Sequence, residues 1–447
     1  MLLDGDYRAD IRQQFRGRTE VREGVKMATE REFIIVGAAL AGASAAEELR
    51  GRGFDGSVRL LGSEEHRPYI RPPLSKGYLG GSEERETVFV HPGDWYAENR
   101  IELSTGVTVS AIDRSNHEVE LTTGERHRYD RLLLATGSSP RRLELPGADS
   151  GADLGATLDG VHYLRTLGDS DSLREALRGG GRTVVVIGSG WIGMEVAATA
   201  RTLGNDVTIL ERGEIPLAKA IGDELGAVFA ELHRQNGVVI RPGVEVEGLI
   251  GVASAAGRRV SGVALVGGEV VPADLVLVGI GARPNIRLAS EAGLAVDDGI
   301  LVDASLATSD PDIFAAGDIA NAWHPVIGQR IRSEHWANAL NQGPAAARSM
   351  LGEVVSFDDI PYFYTDQFDL GMEYSGFPPL ARDAKLVYRG DRNAREFIAF
   401  WVLDGTVVAG MNVNVWDVNE QVQRIIRSAT VVDPVRLADE NVPLEEI

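Results

Sequence analysis

The stretch TVVVIGSGWIGMEVAATARTLGNDVTILER, Thr183 to Arg212, decides how the rest of the chain is read. It reads as a buried strand Val184 to Ile187, a turn Gly188 to Gly193, a helix to about Leu203 and a second strand Val207 to Leu210. In such a turn Gly188 makes the tight bend, Gly190 lets the backbone approach a pyrophosphate, and Gly193 lets helix and strand pack closely. The free N–H groups and positive dipole end of the helix then receive the phosphates. Glu211 ends the next strand, where an acid accepts hydrogen bonds from an adenosine ribose. A carboxylate there repels a 2′-phosphate and favours NADH over NADPH, with Arg212 beside it as the contrary sign.

The same unit occurs earlier. FIIVGAALAG, Phe33 to Gly42, is a strand running into a turn, helical spacing continues from Gly42 to Arg50, and SVRLLGSEE, Ser57 to Glu65, is a second strand ending in acids. Here the triplet is Gly37, Ala39 and Gly42, with Glu64 as the ribose candidate. The Ala39 methyl stands where the second glycine belongs, an overpacking cost of about 1 to 3 kcal/mol against a pyrophosphate if the site cannot relax. A turn that is now only structural is the alternative. The apolar runs are β-branched and continuous, as in parallel sheets covered on both faces, so two doubly wound α/β domains of Rossmann type are expected. Hairpins and a further buried strand follow each unit, at HEVELTTGERHRYDRLLLATG and RVSGVALVGGEVVPADLVLVG. After Met350 come aromatic-rich strands, an Asp-Gly turn in EFIAFWVLDGTVVAG and a helix-like NEQVQRIIRSA, which together read as a third, α+β domain.

Composition narrows the function classes. The 447 residues, 44% apolar and 25% charged, suit a globular protein of two or three domains. A net charge of −21 opposes attachment to nucleic acid or an anionic membrane, so neither is an expected partner. With no cysteine, disulfides, thiolate metal sites and thiol nucleophiles are excluded. No stretch supplies the roughly 18 uncharged apolar residues of a membrane span, and no signal peptide opens the chain, so a cytoplasmic location is expected. Residues 1–27 read either as a disordered extension before a second possible start at Met27 or as a short amphipathic helix.

Five motifs in order, YIRPPLSKGYL (Tyr69 to Leu79), LLLATGSSPRRL, GIGARPN, FAAGDIA and EHWANALNQG, resemble those of the NADH-dependent flavoprotein ferredoxin reductases, a group that includes putidaredoxin reductases, rubredoxin reductases and the reductase components of aromatic-ring dioxygenases. The likeness runs from about Arg31 to the closing NVPLEEI. It implies a glutathione-reductase-like fold with an FAD domain in two segments, 28–148 and 272–350, an NADH domain over 149–271 and a C-terminal interface domain over 351–447. It implies that Gly37, Ala39, Gly42, Glu64, Arg71, Thr136, Gly137, Arg141 and Asp318 line the FAD site, with Gly188, Gly190, Trp191, Gly193, Glu211 and Gly281 for NADH. Lys76 and Glu195 look like the family's paired lysine and glutamate beside the flavin ring. Trp336 would pack by the isoalloxazine, Glu334 would flank the nicotinamide pocket, and Trp191 would screen the flavin. Without the resemblance, Lys76 reads as a surface lysine, Glu195 as a helix-dipole partner, Asp318 as a helix cap, and both tryptophans as core. His335 has no neighbouring ligand set and reads as a packed or hydrogen-bonded histidine, and metal binding is not expected.

Several residues depart from the pattern: Ala39, Ser63 where many relatives have an acid, Ser139 where many have arginine, and Tyr364 in YFYTDQF at the usual tryptophan. The reaction implied is hydride transfer from NADH to FAD, then single-electron delivery to a small two-iron, two-sulfur ferredoxin serving a P450 or a ring-hydroxylating dioxygenase. Docking such a partner on a chain of charge −21 calls for a local basic patch or shape fit. A rubredoxin reductase, an NADH oxidase-like flavoprotein, and a non-catalytic dinucleotide-binding protein with a decayed FAD site are the alternatives.

Overall fold

The structure, a computed structural model, describes residues 31–145, 158–254 and 257–447, so the expected extension over 1–27 lies outside the described residues. Residues Glu32–Ile447 form one unit.

The strand Glu32–Val36 lies at the centre of a five-stranded parallel sheet, flanked on one side by Ser57–Leu61 and Ile101–Ser104 and on the other by Arg131–Leu134 and Ile313–Ala315. Phe33, Ile34 and Ile35 are buried, as an unbroken apolar run requires when both faces are covered. The strand Thr183–Ile187 holds the same place in a second parallel sheet, between Asp206–Leu210 with Val239–Arg241 and Leu275–Val278 with Val161–His162. Each sheet carries a three-stranded antiparallel companion: Val109–Asp113, Glu118–Leu121 and Arg126–Arg128 for the first, Val246–Ser254, Gly257–Leu265 and Val270–Pro272 for the second. The two Rossmann-like units expected from the glycine spacing are thus both present.

The sequence places the return to the first domain at 272, but Leu275–Val278 still pairs with Thr183–Ile187 in the second sheet. The return follows it. Ala282–Pro284 runs antiparallel to Ser138–Pro140, so the strands that leave and re-enter the first domain lie side by side. An apolar strand after a hairpin suits either sheet, which is why the sequence alone misplaced the boundary.

The C-terminal region is a five-stranded antiparallel sheet in the order Tyr362–Gln367, Leu370–Gly376, Thr406–Val413, Glu396–Leu403, Lys385–Asp391. Asp404 and Gly405 join two strands with φ of 48° and 84°, the paired positive angles of a type I′ turn. The helix Asn419–Ser428 covers one face of this sheet through Val422, Ile425 and Ile426. Among the described residues no helix is long and apolar enough to cross a membrane.

Candidate active site

The two glycine turns are built alike. Gly37 has φ +124° and Gly188 φ +96°, angles that L side chains rarely adopt. A Cβ on Gly42 would lie 2.1 Å from the Gly37 carbonyl oxygen, and one on Gly193 would lie 2.2 Å from that of Gly188. The first and third glycines are therefore demanded by the protein's own backbone. The middle position is different: a Cβ on Gly190 would meet nothing within 4 Å, and Ala39, its counterpart, is a lining residue of the cavity over the first turn. Only a ligand could be crowded there.

The helices that follow, Leu40–Gly51 and Trp191–Thr202, are capped by Ala39 and Gly190 with no side-chain hydrogen bond. By contrast, Leu167–Leu177 closes its own start with a capping box, Thr166 Oγ1 accepting from Asp169 N at 3.1 Å and Asp169 Oδ2 from Thr166 N at 2.8 Å. The two turn helices leave their first N–H groups without a side-chain acceptor.

A cavity of ≈ 1130 Å³ opens over the first turn. Of the residues expected at the FAD site, Gly37, Ala39, Glu64, Arg71, Thr136, Gly137, Arg141 and Asp318 line it, as do Lys76, Glu334 and Trp336. Gly42 lies behind the turn against Gly37. From the second unit Trp191 and Glu195 reach the same wall. Gly188, Gly190, Gly193 and Glu211 form the second turn outside it, and Gly281 lies where its carbonyl accepts from Arg141 N at 2.8 Å.

In the cavity wall Lys76 Nζ is 2.9 Å from Glu195 Oε1, with side chains only 14% and 4% exposed. Lys76 is placed by the tight PPLS turn Pro72–Ser75, and Glu195 by the first turns of the helix Trp191–Thr202. Thr365 Oγ1 also donates to Glu195 Oε1, at 2.6 Å, and Ser75 Oγ donates to Oε2. A buried carboxylate is thereby matched by a cation and two hydroxyls, which satisfies the requirement that a buried charge be paired and hydrogen-bonded. Tyr364 sits over the pair, its ring centroid 5.3 Å from Lys76 Nζ, and meets Trp336 edge-on at 6.5 Å. Trp191 packs on Phe229 and Phe363, and His335 stacks on Phe363 at 4.2 Å. Trp191 thus packs against core aromatics and also lines the cavity. Burial pushes the His335 imidazole down to about 4, against the opposing pull of Asp318.

Further along the wall Asp318 Oδ2 accepts from Arg165 at 2.6 Å and from Ser138 Oγ at 2.7 Å. Burial alone would push this carboxyl up, but Arg165 and Ser138 outweigh it and hold it below the usual range. Arg165 Nε is buried without a hydrogen-bond partner among the described residues, while the residue itself lines the cavity. The unclosed helix start, the Arg165–Asp318 pair on the wall and the size of the cavity fit a bound dinucleotide such as FAD.

Glu64 departs from expectation. The strand ends at Leu61, so Gly62 takes the place that Glu211 takes after Leu210; a Cβ on Gly62 would strike Ala38 Cβ at 2.5 Å. Glu64 lies two residues further on, and its carboxylate is held by Arg71 at 2.9 Å and by the Tyr69 hydroxyl. Glu211 does follow its strand directly and accepts from Ser189 N, Ser189 Oγ and Gly213 N at 2.9, 2.6 and 2.7 Å. Burial pushes its carboxyl up, yet the Ser189 hydroxyl and these N–H groups bring it below the ordinary value. Ser75, Thr365, Ser138 and Arg165 were missed from the sequence. Ser75 and Thr365 adjoin singled-out residues, whereas nothing local marks Arg165.

Residues 31–343 match the model of the family described as pyridine nucleotide-disulphide oxidoreductase, and residues 362–447 match that described as reductase C-terminal. Putidaredoxin reductase of Pseudomonas putida is 38% identical over 414 residues, 93% of this chain and 96% of its own. Rhodocoxin reductase of Rhodococcus erythropolis is 36% identical over 415 residues, 92% and 93% of the two chains. The reductase in a covalent putidaredoxin reductase–putidaredoxin complex superposes with a TM-score of 0.87 at 37% identity, covering 93% of this chain and 97% of that one. The chain belongs to the pyridine nucleotide-disulphide oxidoreductase family, as a member whose own sequence holds no cysteine to form a disulphide.

Proposed function

We propose that this chain is an FAD-containing reductase that takes electrons from NADH and delivers them to a two-iron, two-sulfur ferredoxin of a P450 or ring-hydroxylating dioxygenase system. The observation that carries this reading is the buried Lys76–Glu195 pair at 2.9 Å, in the wall of a dinucleotide-sized cavity where the second Rossmann unit reaches the first. Relatives named as ferredoxin–NAD(+) reductase components of anthranilate and biphenyl dioxygenase systems, 37% and 38% identical over more than nine-tenths of the chain, support the partner class and NADH.

Bound FAD supplies the acceptor for a hydride and the means to release two electrons singly. The chain's residues do the rest. In this reading the start of the helix Leu40–Gly51 holds the FAD pyrophosphate, Gly37, Ala39 and Gly42 shape that turn, and Arg165 and Asp318 fix the sugar and phosphate end. Thr136, Gly137, Arg141 and the Arg71–Glu64 pair complete the wall. The second turn, Gly188 to Gly193 with Glu211, takes the NADH adenosine half, and Gly281 shapes the loop behind Arg141. Lys76 presents a fixed positive charge, neutralised at rest by Glu195, where negative charge would accumulate. Trp191, Tyr364 and Trp336 keep water from that part of the cavity, with Glu334 at its rim. The domain roles follow: FAD in the first unit, NADH in the second, and the partner surface in the C-terminal sheet.

The purified protein is expected to be yellow and to bleach with NADH under anaerobic conditions, then to reduce a two-iron ferredoxin faster than a rubredoxin. A colourless preparation that no added FAD colours would overturn the reading.

A further inference from the structure

Glu195 ends a buried chain longer than its pairing with Lys76 requires. Thr365 Oγ1 lies 3.2 Å from Gln367 Nε2, and Gln367 Oε1 lies 2.9 Å from His233 Nε2. Glu195 is 3% exposed, Thr365 and Gln367 are 1%, and His233 is 0%. Thr365 and Gln367 alternate on the strand Tyr362–Gln367 and so share a face, while His233 comes from the helix Asp223–Gln235 of the second unit.

Chemistry dictates the direction of every link. An ionised carboxylate only accepts, so the single Thr365 proton points at Glu195. The Thr365 lone pair then accepts from the Gln367 amide, whose oxygen is left facing His233. His233 Nε2 must therefore carry a hydrogen. Its other nitrogen, Nδ1, is buried with no hydrogen-bond partner among the described residues, as the bare nitrogen of a neutral Nε2–H tautomer would be. Burial also pushes this imidazole down to about 4, with the Gln367 hydrogen bond pulling the other way. Each donor polarises the next, so the series ends by stabilising negative charge on Glu195.

We propose that His233, Gln367 and Thr365 are positioning residues, a one-directional hydrogen-bond relay that holds the Glu195 carboxylate aimed at Lys76. The proposal rests on the reductase reading above, because only there does the aim of Glu195 affect a rate. It ties the C-terminal sheet and the second Rossmann unit to the Lys76–Glu195 pair in the cavity wall.

Two measurements test it. Nitrogen NMR of the histidine-labelled wild-type protein is expected to show His233 as the Nε2–H tautomer at neutral pH; an Nδ1–H tautomer or an imidazolium would overturn the relay. In the holoenzyme, Thr365→Val is expected to slow flavin reduction by NADH about 10- to 100-fold, the size of a hydrogen bond to a charged group, and to shift the flavin midpoint potential while leaving the NADH Kd within about twofold. Thr365→Ser restores both, and Gln367→Leu moves both in the same direction by a smaller amount. Wild-type rate and potential in flavin-loaded Thr365→Val and Gln367→Leu would reduce the relay to packing. Should Thr365→Val fail to fold, Gln367→Leu and the tautomer still decide. A wild-type protein that binds no flavin would sink the reductase reading, while the tautomer would still report on the relay.

Discussion

Ala39 and Gly42 are three residues apart and answer to different masters. Gly42 is required by the chain itself, since a Cβ would be driven onto the Gly37 carbonyl at 2.1 Å. Gly42→Ala is expected to cost about 1 to 3 kcal/mol and to empty the protein of flavin, read by thermal denaturation and by absorbance after gel filtration. Ala39 faces the cavity, so Ala39→Gly should leave the melting temperature of flavin-free protein nearly unchanged and tighten flavin retention by at most about tenfold. A parent that binds no flavin beside a variant that does would mean a lost site rather than a tolerated methyl. Glu195→Gln keeps the shape of the site but leaves the Lys76 ammonium, 14% exposed, without its counter-charge. Flavin reduction by NADH should slow by about 10- to 100-fold in stopped-flow absorbance; an unchanged rate would make the pair structural. The pairing of Lys76 with Glu195 was legible only through family resemblance, because nothing near either residue says that they meet.

Secondary structure was far more legible, and where it failed the reason is register. The strands Glu32–Val36 and Thr183–Ile187, with their turns and helices, lie where apolar runs and glycine spacing put them. Glu64 was assigned by its distance from the turn, yet its strand stops at Leu61, and the close approach of Ala38 reserves the next position for Gly62. The helix Leu40–Gly51 is also held by a neighbour the sequence does not announce. It packs on Trp336–Met350, where Gly343 lies so close that a Cβ would sit 2.4 Å from the Ala41 carbonyl oxygen. Gly343→Val should push the two helices apart, cost about 1 to 3 kcal/mol in urea unfolding, and weaken flavin retention because the cavity-lining start of Leu40–Gly51 moves with it.

Stability of the folded chain carries a signature of its buried imidazoles. An unfolded histidine takes its proton near 6.5, whereas His233 and His335 take theirs only near 4, both because of burial. Between those values the unfolded chain binds more protons, so stability rises with pH across that window, is complete above about 6.5 and is lost as pH falls towards 4. His162 and His324 shift in the same direction, again chiefly by burial. For His233, fully buried, the contribution is of the order of 3 kcal/mol at about 1.4 kcal/mol per pH unit. Urea unfolding followed from neutral to mildly acid pH should show this slope, and His233→Gln should flatten it. A slope unaltered by the substitution would mean that His233 protonates in the folded state.

Strand, turn and helix are dictated within a dozen neighbouring residues, by alternation of apolar side chains and by angles that only glycine tolerates, and so the twin Rossmann units and the third domain could be read directly from the chain. The site is assembled otherwise. Glu195 meets Ser75 across 120 residues and Thr365 across 170, and Arg165 meets Asp318 across 153. Which polar groups converge depends on how two sheets and a C-terminal strand pack together, and on which buried charges then find partners. That selection is made by burial in the folded protein, where an unpaired charge is too costly to keep, and no local pattern records it.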